Sequence, residues 1–342
     1  MTPPVTVTVS ALDAGHITLP ERLFVTDADP EKRATVPSLS FLIQHQPEGL
    51  EVIHSKLIFD LGVKRDLKAY TKAQQDHIAQ RQPVITSPDC AESLRKGGLD
   101  PKDITYIILS HVHWDHIGTP SDFPNSSFIV GAGTQDLLKN GGGPLYPAEL
   151  FNDDELPYDM TWELEPVPDA EKQYPSDGGN AHVARSLKWA YVPEETMVRL
   201  PDASVHPENW TWKPLSTFPN TLDFFGDGSL YVIDSPGHLF GHLNLLARIG
   251  ERKYVYLGGD CCHDPRILSG EKDIAMYEDG MGGMRSVHVD TGVARKTLDR
   301  IQGFIRDKKL NGEEIEVEVI VAHDAAWREE NIGKGRFWPG KL

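Results

Sequence analysis

The sequence predicts an α/β protein in which helices pack in layers on sheets. Short apolar runs rich in Val, Ile, Leu and Phe recur along the chain, punctuated by Gly, Pro, Asn and Asp. Segments of helical composition alternate with these runs, as layered α/β folds require. No internal repeat and no low-complexity tract interrupts that order.

The elements follow in chain order. Residues 39–45 and 51–59 read as strands, carried by Leu39, Phe41, Leu42 and Ile43 and then by Val52, Ile53, Leu57, Ile58 and Phe59. Gln46-Pro47-Glu48-Gly49 supplies the turn between them. Helical composition spans 66–80, and a shorter helix starts near Pro88, capped by Ser87, and stops at Gly97-Gly98. The nearly continuous apolar run 104–109 predicts a buried strand, 128–130 another, and 134–139 a helix. Later, 221–225 and 230–233 flank the hairpin turn Gly226-Asp227-Gly228, and 243–248 pairs with 254–257 around Gly250-Glu251-Arg252. Val293, Leu298, Ile301, Phe304 and Ile305 define one face of a helix over 291–309, and 315–321 is the last strand.

Between these blocks, 140–220 is rich in Pro, Gly and Asp and carries Trp162, Trp189, Trp210 and Trp212. A structureless loop of that length is rare unless it has a task. It reads as an insertion or lid over a site, within a single domain spanning 1–342. Its tryptophans either pack the segment down or contact a ligand, and packing is the commoner fate of Trp.

Composition excludes several classes. At 39% hydrophobic residues plus 30 glycines in 342, the chain has the apolar share of a globular protein rather than a disordered one. No run reaches the roughly 18 apolar residues of a membrane helix. A formal charge of −17 opposes binding to phosphate backbones, so nucleic acid is not an expected partner. Cys90, Cys261 and Cys262 cannot form a disulfide framework, and the first residues show no signal-peptide pattern, so a cytoplasmic location is expected.

The run 104–109 leads into Ser110-His111-Val112-His113-Trp114-Asp115-His116. Imidazole and carboxylate suit zinc, iron or manganese, and loops after strands are where α/β proteins place chemistry. A mere cluster of surface histidines is the plainer alternative.

His-x-His-x-Asp-His resembles the signature of the metallo-β-lactamase superfamily. Further motifs match in order: Phe59-Asp60-Leu61-Gly62, Ser235-Pro236-Gly237-His238, Gly258-Gly259-Asp260 and Val321-Ala322-His323. The resemblance implies a four-layer αββα sandwich holding two divalent ions, zinc first, with manganese or iron as alternatives. It assigns His111, His113 and His238 to one ion, Asp115, His116 and His323 to the other, and Asp260 as the bridge. Asp60 would support the ligands from behind. A hydroxide formed between the ions would attack the substrate carbonyl, with Asp115 and His263 as catalytic side chains.

Two details choose a branch. Many β-lactamases of this superfamily have Cys, or nothing, where Asp260 stands, and di-iron redox relatives replace the second His, here His113, with Glu. The run His238-Leu239-Phe240-Gly241-His242 and the 22-residue gap from His238 to Asp260 look most like N-acyl homoserine lactone lactonases, in which His242 supports rather than ligates. Those lactonases commonly carry Tyr where this chain has His263. A His there is able to protonate a poor leaving group such as an amine. Together with the length and the Trp-bearing insertion, that substitution is similar to fungal lactamases that open benzoxazolinone-type rings.

The expected function is therefore a dinuclear metal hydrolase opening a small cyclic amide, carbamate or ester, with detoxification as its setting. An acyl homoserine lactone lactonase is the alternative. A glyoxalase-like thioesterase lacks support because only 19 residues follow His323, and the acidic charge opposes a nuclease. The expected partner is a small cyclic substrate, with no membrane; a homodimer is left open.

Overall fold

Two six-stranded sheets lie face to face, and strand order in each follows the chain closely. The computed structural model describes residues 3–46, 55–168, 170, 205 and 207–342. The first sheet comprises β1 (Val7–Pro20), β2 (Arg33–His45), β3 (Ser55–Phe59), β4 (Tyr106–Ile108), β5 (Ser127–Val130) and β6 (Thr161–Glu163). Its β1–β2–β3 part is antiparallel and its β3–β6 part is parallel.

The second sheet contains β7 (Lys213–Leu215), β8 (Phe218–Asp223), β9 (Leu230–Asp234), β10 (Leu243–Arg248) and β11 (Lys253–Leu257). Two small ribbons follow, β12 (Tyr277–Glu278) with β13 (Met284–Arg285), and β14 (Lys309–Leu310) with β15 (Glu313–Glu314). The last strand, β16 (Glu316–Ile320), returns to pair in parallel with β11. The helices are α1 (Lys72–Ile78), α2 (Cys90–Lys96), α3 (Trp114–Ile117), α4 (Thr134–Asn140), α5 (Pro265–Leu268), α6 (Thr291–Asp307) and α7 (Ala325–Asn331). Among the described residues, no helix is long and apolar enough to cross a membrane.

Side-chain alternation along the strands sets the layers. Leu57 and Phe59 of β3 face inward and meet Val232, Leu245 and Leu257 of the second sheet. Ile58, between them, faces outward onto Ala91 and Leu94 of α2. On the opposite outer face, Leu298, Ile301 and Phe304 of α6 cover Leu246 and Tyr256. The order helix–sheet–sheet–helix is thus the αββα sandwich expected.

Several boundaries differ from expectation. The helix expected over 66–80 is broken into a 3-10 turn Leu67–Ala69, α1, and a second 3-10 turn Ala79–Arg81. The break occurs where Tyr70 turns inward to donate its hydroxyl to Trp114 O at 2.7 Å, and Thr71 then starts α1 with a capping box. The cap of α2 is Asp89, not Ser87, because Asp89 accepts from the Glu92 amide at 2.8 Å while Ser87 bonds the Glu92 carboxylate. Of the strand expected over 51–59, Ser55–Phe59 forms β3; residues 47–54, including most of the turn expected before it, lie outside the described residues.

Both flanks of the 140–220 stretch are built into the sheets, as β6 on one side and β7 with the start of β8 on the other. Residues 169, 171–204 and 206, including Trp189, lie outside the described residues. Trp162 and Trp210 meet edge to face at 6.1 Å and pack on the core between the sheets. The Trp212 indole donates to Glu165 O at 2.8 Å. These three tryptophans therefore pack; none lines the cavity described below, which corrects the ligand-contact reading for them.

Candidate metal centre

Strands β3, β4, β9, β11 and β16 all end on the same side of the sandwich, and each feeds a functional loop. Asp60 follows β3, and the His111–His116 segment follows β4. His238 lies in the β9–β10 loop, Asp260 beyond β11 and His323 beyond β16. The loops are packed closely: a side chain at Gly259, whose φ is +46°, would meet Ser110 Cβ at 2.8 Å. Glycine at that position lets the Asp260 loop sit against the histidine loop.

All seven expected ligands converge and are nearly or fully buried, with His113 the most open. Three ring nitrogens form one set: His113 Nδ1 lies 2.9 Å from His111 Nε2 and 3.0 Å from His238 Nε2. Asp260 Oδ2 faces that set, 3.4 Å from His238 Nε2 and 3.7 Å from His111 Nε2. Asp260 Oδ1 faces the other way, 3.2 Å from both His116 Nε2 and His323 Nε2. Asp115 Oδ2 completes the second set at 3.6 Å from His323 Nε2.

Outer hydrogen bonds fix which nitrogen points inward. Ser110 Oγ donates to Asp60 Oδ2 at 2.7 Å, so it accepts from His111 Nδ1 at 2.9 Å and leaves the His111 Nε2 lone pair free. His116 Nδ1 donates to Asp60 Oδ2 at 2.8 Å, and His323 Nδ1 donates to Pro37 O at 2.8 Å. Asp60 has a left-handed backbone, φ 61°, and is held there by the Ser110 amide donating to its Oδ1 at 2.6 Å. His242 Nε2 accepts from the Asp260 amide at 3.1 Å, so His242 orients the Asp260 backbone.

Electrostatics follow from burial. Burial, reinforced by His116 and His113, holds His111 well below the ordinary imidazole range, and it pushes His113 down to about 4. Burial would raise Asp260, but His116, His323 and His263 around it hold its carboxyl well below the usual range.

The donor set fits divalent cations. His116 Nε2, His323 Nε2 and Asp260 Oδ1 are buried, converge, and make no hydrogen bond among the described residues. Buried lone pairs left facing each other are costly, and a cation satisfies them together. Cys261 and Cys262 sit in the apolar core under the second sheet, away from the donors, so nitrogen and oxygen are the available ligand atoms.

His263 lies beside the centre, with its Nε2 3.0 Å from Asp260 Oδ2 and its ring 4.8 Å from that of Phe24. Sequence reasoning missed His288, whose Nδ1 lies 3.3 Å from His238 Nδ1 behind the first set. It also missed the walls of a cavity of about 330 Å³ that opens onto Asp115, Asp260 and His263. Ile17, Leu19 and Phe24 form one wall, Gln74, His77 and Arg81 another, and Tyr146, Tyr277 and Arg285 a third. A further histidine just before α6 was the one available signal; the wall residues are isolated in the sequence and carry none.

The family model for the metallo-beta-lactamase superfamily matches residues 58–258. This chain belongs to the metallo-β-lactamase superfamily. It is 26% identical over 359 residues to a protein of Penicillium brevicompactum named cytochrome P450 monooxygenase mpaDE', covering 98% of this chain and 35% of that protein. The chain thus spans about a third of that relative's length. It is 29% identical to the gamma-lactamase FDB1 of Fusarium pseudograminearum, over 66% of this chain and 45% of that one. It is 25% identical to the N-acyl homoserine lactonase AttM of Rhizobium radiobacter, over 53% of this chain and 50% of that one. Among solved structures, a quorum-quenching N-acyl homoserine lactone hydrolase superposes with a TM-score of 0.59 at 17% identity, covering 100% of both chains. At that identity the likeness speaks for the fold.

Proposed function

We propose that this chain is a dinuclear metal-dependent hydrolase that opens a small cyclic amide, carbamate or ester. The observation that carries the proposal is the division of Asp260, with one oxygen turned to each set of donors. In this reading His111, His113 and His238 would hold one ion and Asp115, His116 and His323 the other, with Asp260 shared between them; zinc is the ion proposed. When bound, a pair of divalent cations supplies Lewis acidity toward a carbonyl and brings the pKa of water near neutrality.

The chain's own residues do the rest. Asp60 and Pro37 O fix the ligand rings, so little rearrangement accompanies reaction. A carboxylate oxygen only accepts, so the proton of the His263–Asp260 contact sits on His263 Nε2, at the cavity floor. With its ring in the imidazolium form, His263 would give a ring proton to a leaving nitrogen and be left as the neutral imidazole; such a nitrogen needs a proton more than an alkoxide does. The lactamase names of relatives such as FDB1 support amide opening, and AttM supports the alternative, an acyl homoserine lactone.

A hydrolysis screen of the metal-loaded protein against aromatic cyclic amides, cyclic carbamates, acyl lactones and thioesters tests this reading. The expected result is preferred opening of cyclic amides or carbamates. A preference for long-chain acyl lactones selects the alternative, and no turnover on any of them by protein holding metal rejects the hydrolase.

A further inference from the structure

We infer that Arg81, with Arg285 opposite, forms an anion subsite in the cavity wall and that the preferred substrate carries a carboxylate away from its reacting carbonyl. The inference deepens the proposed hydrolase and rests on it for its kinetic arm only.

Arg81 ends the 3-10 turn after α1, and its side chain reaches the cavity that also exposes Asp115 and His113. Among the described residues, no carboxylate or carbonyl hydrogen-bonds its guanidinium. The backbone beneath it is pinned: Arg33 donates to Gln80 O at 2.8 Å and to Gln82 O at 3.4 Å, on either side of Arg81. The side chain is thus presented from a fixed point with its donors unspent. Arg65, Arg266 and Arg328 have carboxylate partners that hold their guanidinium groups above the ordinary value. Arg81 goes the other way, lowered first by burial. Asp115 in the same cavity offsets that burial only in part, and a half-buried cation with no hydrogen-bonded counter-ion is a site for an anion.

Arg285 comes from β13. Its Cζ lies 5.4 Å from the Tyr146 ring centroid and 5.8 Å from that of Tyr277, which fixes the guanidinium plane between two rings. It donates to Ser286 O at 3.3 Å and to Tyr146 Oη at 3.4 Å, both long, and Tyr277 is a further partner; a guanidinium carries five N–H donors, so some stay free. Among the described residues, Arg81 and Arg285 are the only Arg or Lys side chains lining the cavity, in a protein whose net charge is −17. The carboxylates lining the cavity, Asp115 and Asp260, are committed to the donor sets. Much of the remaining lining is apolar, including Phe24, Leu145, Leu150 and Phe151. The lining therefore suits a compact ring with its carbonyl on the floor and a carboxylate against the planar forks of the wall.

The test compares phthalide with a carboxyphthalide on metal-loaded wild-type protein, Arg81→Gln and Arg81→Lys, and measures benzoate binding to all three by calorimetry. Wild type should favour the carboxylated lactone in kcat/KM. Arg81→Gln should reduce that preference about 10–100-fold, mostly through KM, and weaken benzoate similarly, the scale of a charge-assisted hydrogen bond; Arg81→Lys should recover part of both. Equal kcat/KM values on the two lactones in wild type, or benzoate binding insensitive to Arg81, overturn the subsite. If neither these lactones nor any compound of the hydrolysis screen is opened, yet benzoate binds in an Arg81-dependent way, the hydrolase reading fails while the anion subsite stands.

Discussion

The floor and the walls of the cavity are built in opposite ways. The floor is drawn from strand ends, buried and cross-braced, with the inward nitrogens of His111, His116 and His323 set by a bond on the far side of each ring. The walls come from single side chains on β1, on the turn after α1 and on the β12–β13 ribbon, and several polar groups there keep unused donors. In the proposed reaction, the fixed floor would specify what is done to a carbonyl, and adaptable walls would specify which molecule presents it. A fold of this kind keeps its chemistry while its walls change.

The largest effect should come from the floor. Asp260→Ala removes the one carboxylate facing both donor sets, and it should lower both metal content per chain and turnover by more than about 100-fold, beyond what outer partners contribute. Elemental analysis with kcat/KM measures this; two ions per chain and a normal rate in that variant would break the contrast.

His263 stands where floor meets wall. His263→Phe should cut lactam or carbamate turnover by about 100-fold or more while activated-ester hydrolysis falls less, the pattern of a lost proton donor. Equal losses on both substrate types would make His263 part of the floor alone.

Asp60→Asn keeps the side-chain shape and tolerates the left-handed backbone, but it weakens acceptance from His116 and Ser110. Metal affinity should drop about 10–100-fold, read by competition with a chromophoric chelator. Unchanged affinity would show that the ligand rings hold themselves.

The smallest effect belongs to the wall. Burial first, then Arg81, pushes His77 down to about 4. Its folded pKa lies below the unfolded value near 6.5, so its contribution to stability is complete above pH 6.5 and is lost as pH falls toward 4. His77→Gln should flatten the pH dependence of the urea-unfolding free energy in that window by up to about 1.4 kcal/mol per pH unit. The opposite slope change would mean that His77 is charged in the fold.

The difference between floor and wall also explains what the sequence reveals. His111, His113, Asp115 and His116 sit within one short loop after one apolar strand, so their chemistry is written locally. Asp60, His238, Asp260 and His323 each follow a strand that reads clearly from its apolar run. The walls depend on β1, and that strand is hidden. Its pattern is broken by Asp13-Ala14-Gly15-His16, where the pairing with β2 shifts register and Gly15 has φ +96°. Residues on both its faces are buried, so no clean alternation marks it. The start of β2 is obscured similarly, by the solvent-facing Arg33 and Thr35 and by Pro37. Arg81 and Arg285 are 204 positions apart and reach one cavity only through the fold.

The two sheets share the donors unequally but both contribute. His111, His113, Asp115 and His116 hang from the first, and His238, Asp260 and His323 from the second. A cation gripped by both groups would act as a clasp, and the sandwich could not open along its seam without letting it go. Ligation energy thereby becomes resistance to global unfolding, growing with free ion concentration as RT ln(1 + [ion]/Kd). Chelation would then loosen the cooperativity of the entire sandwich, and the melting midpoint would double as a gauge of ion affinity.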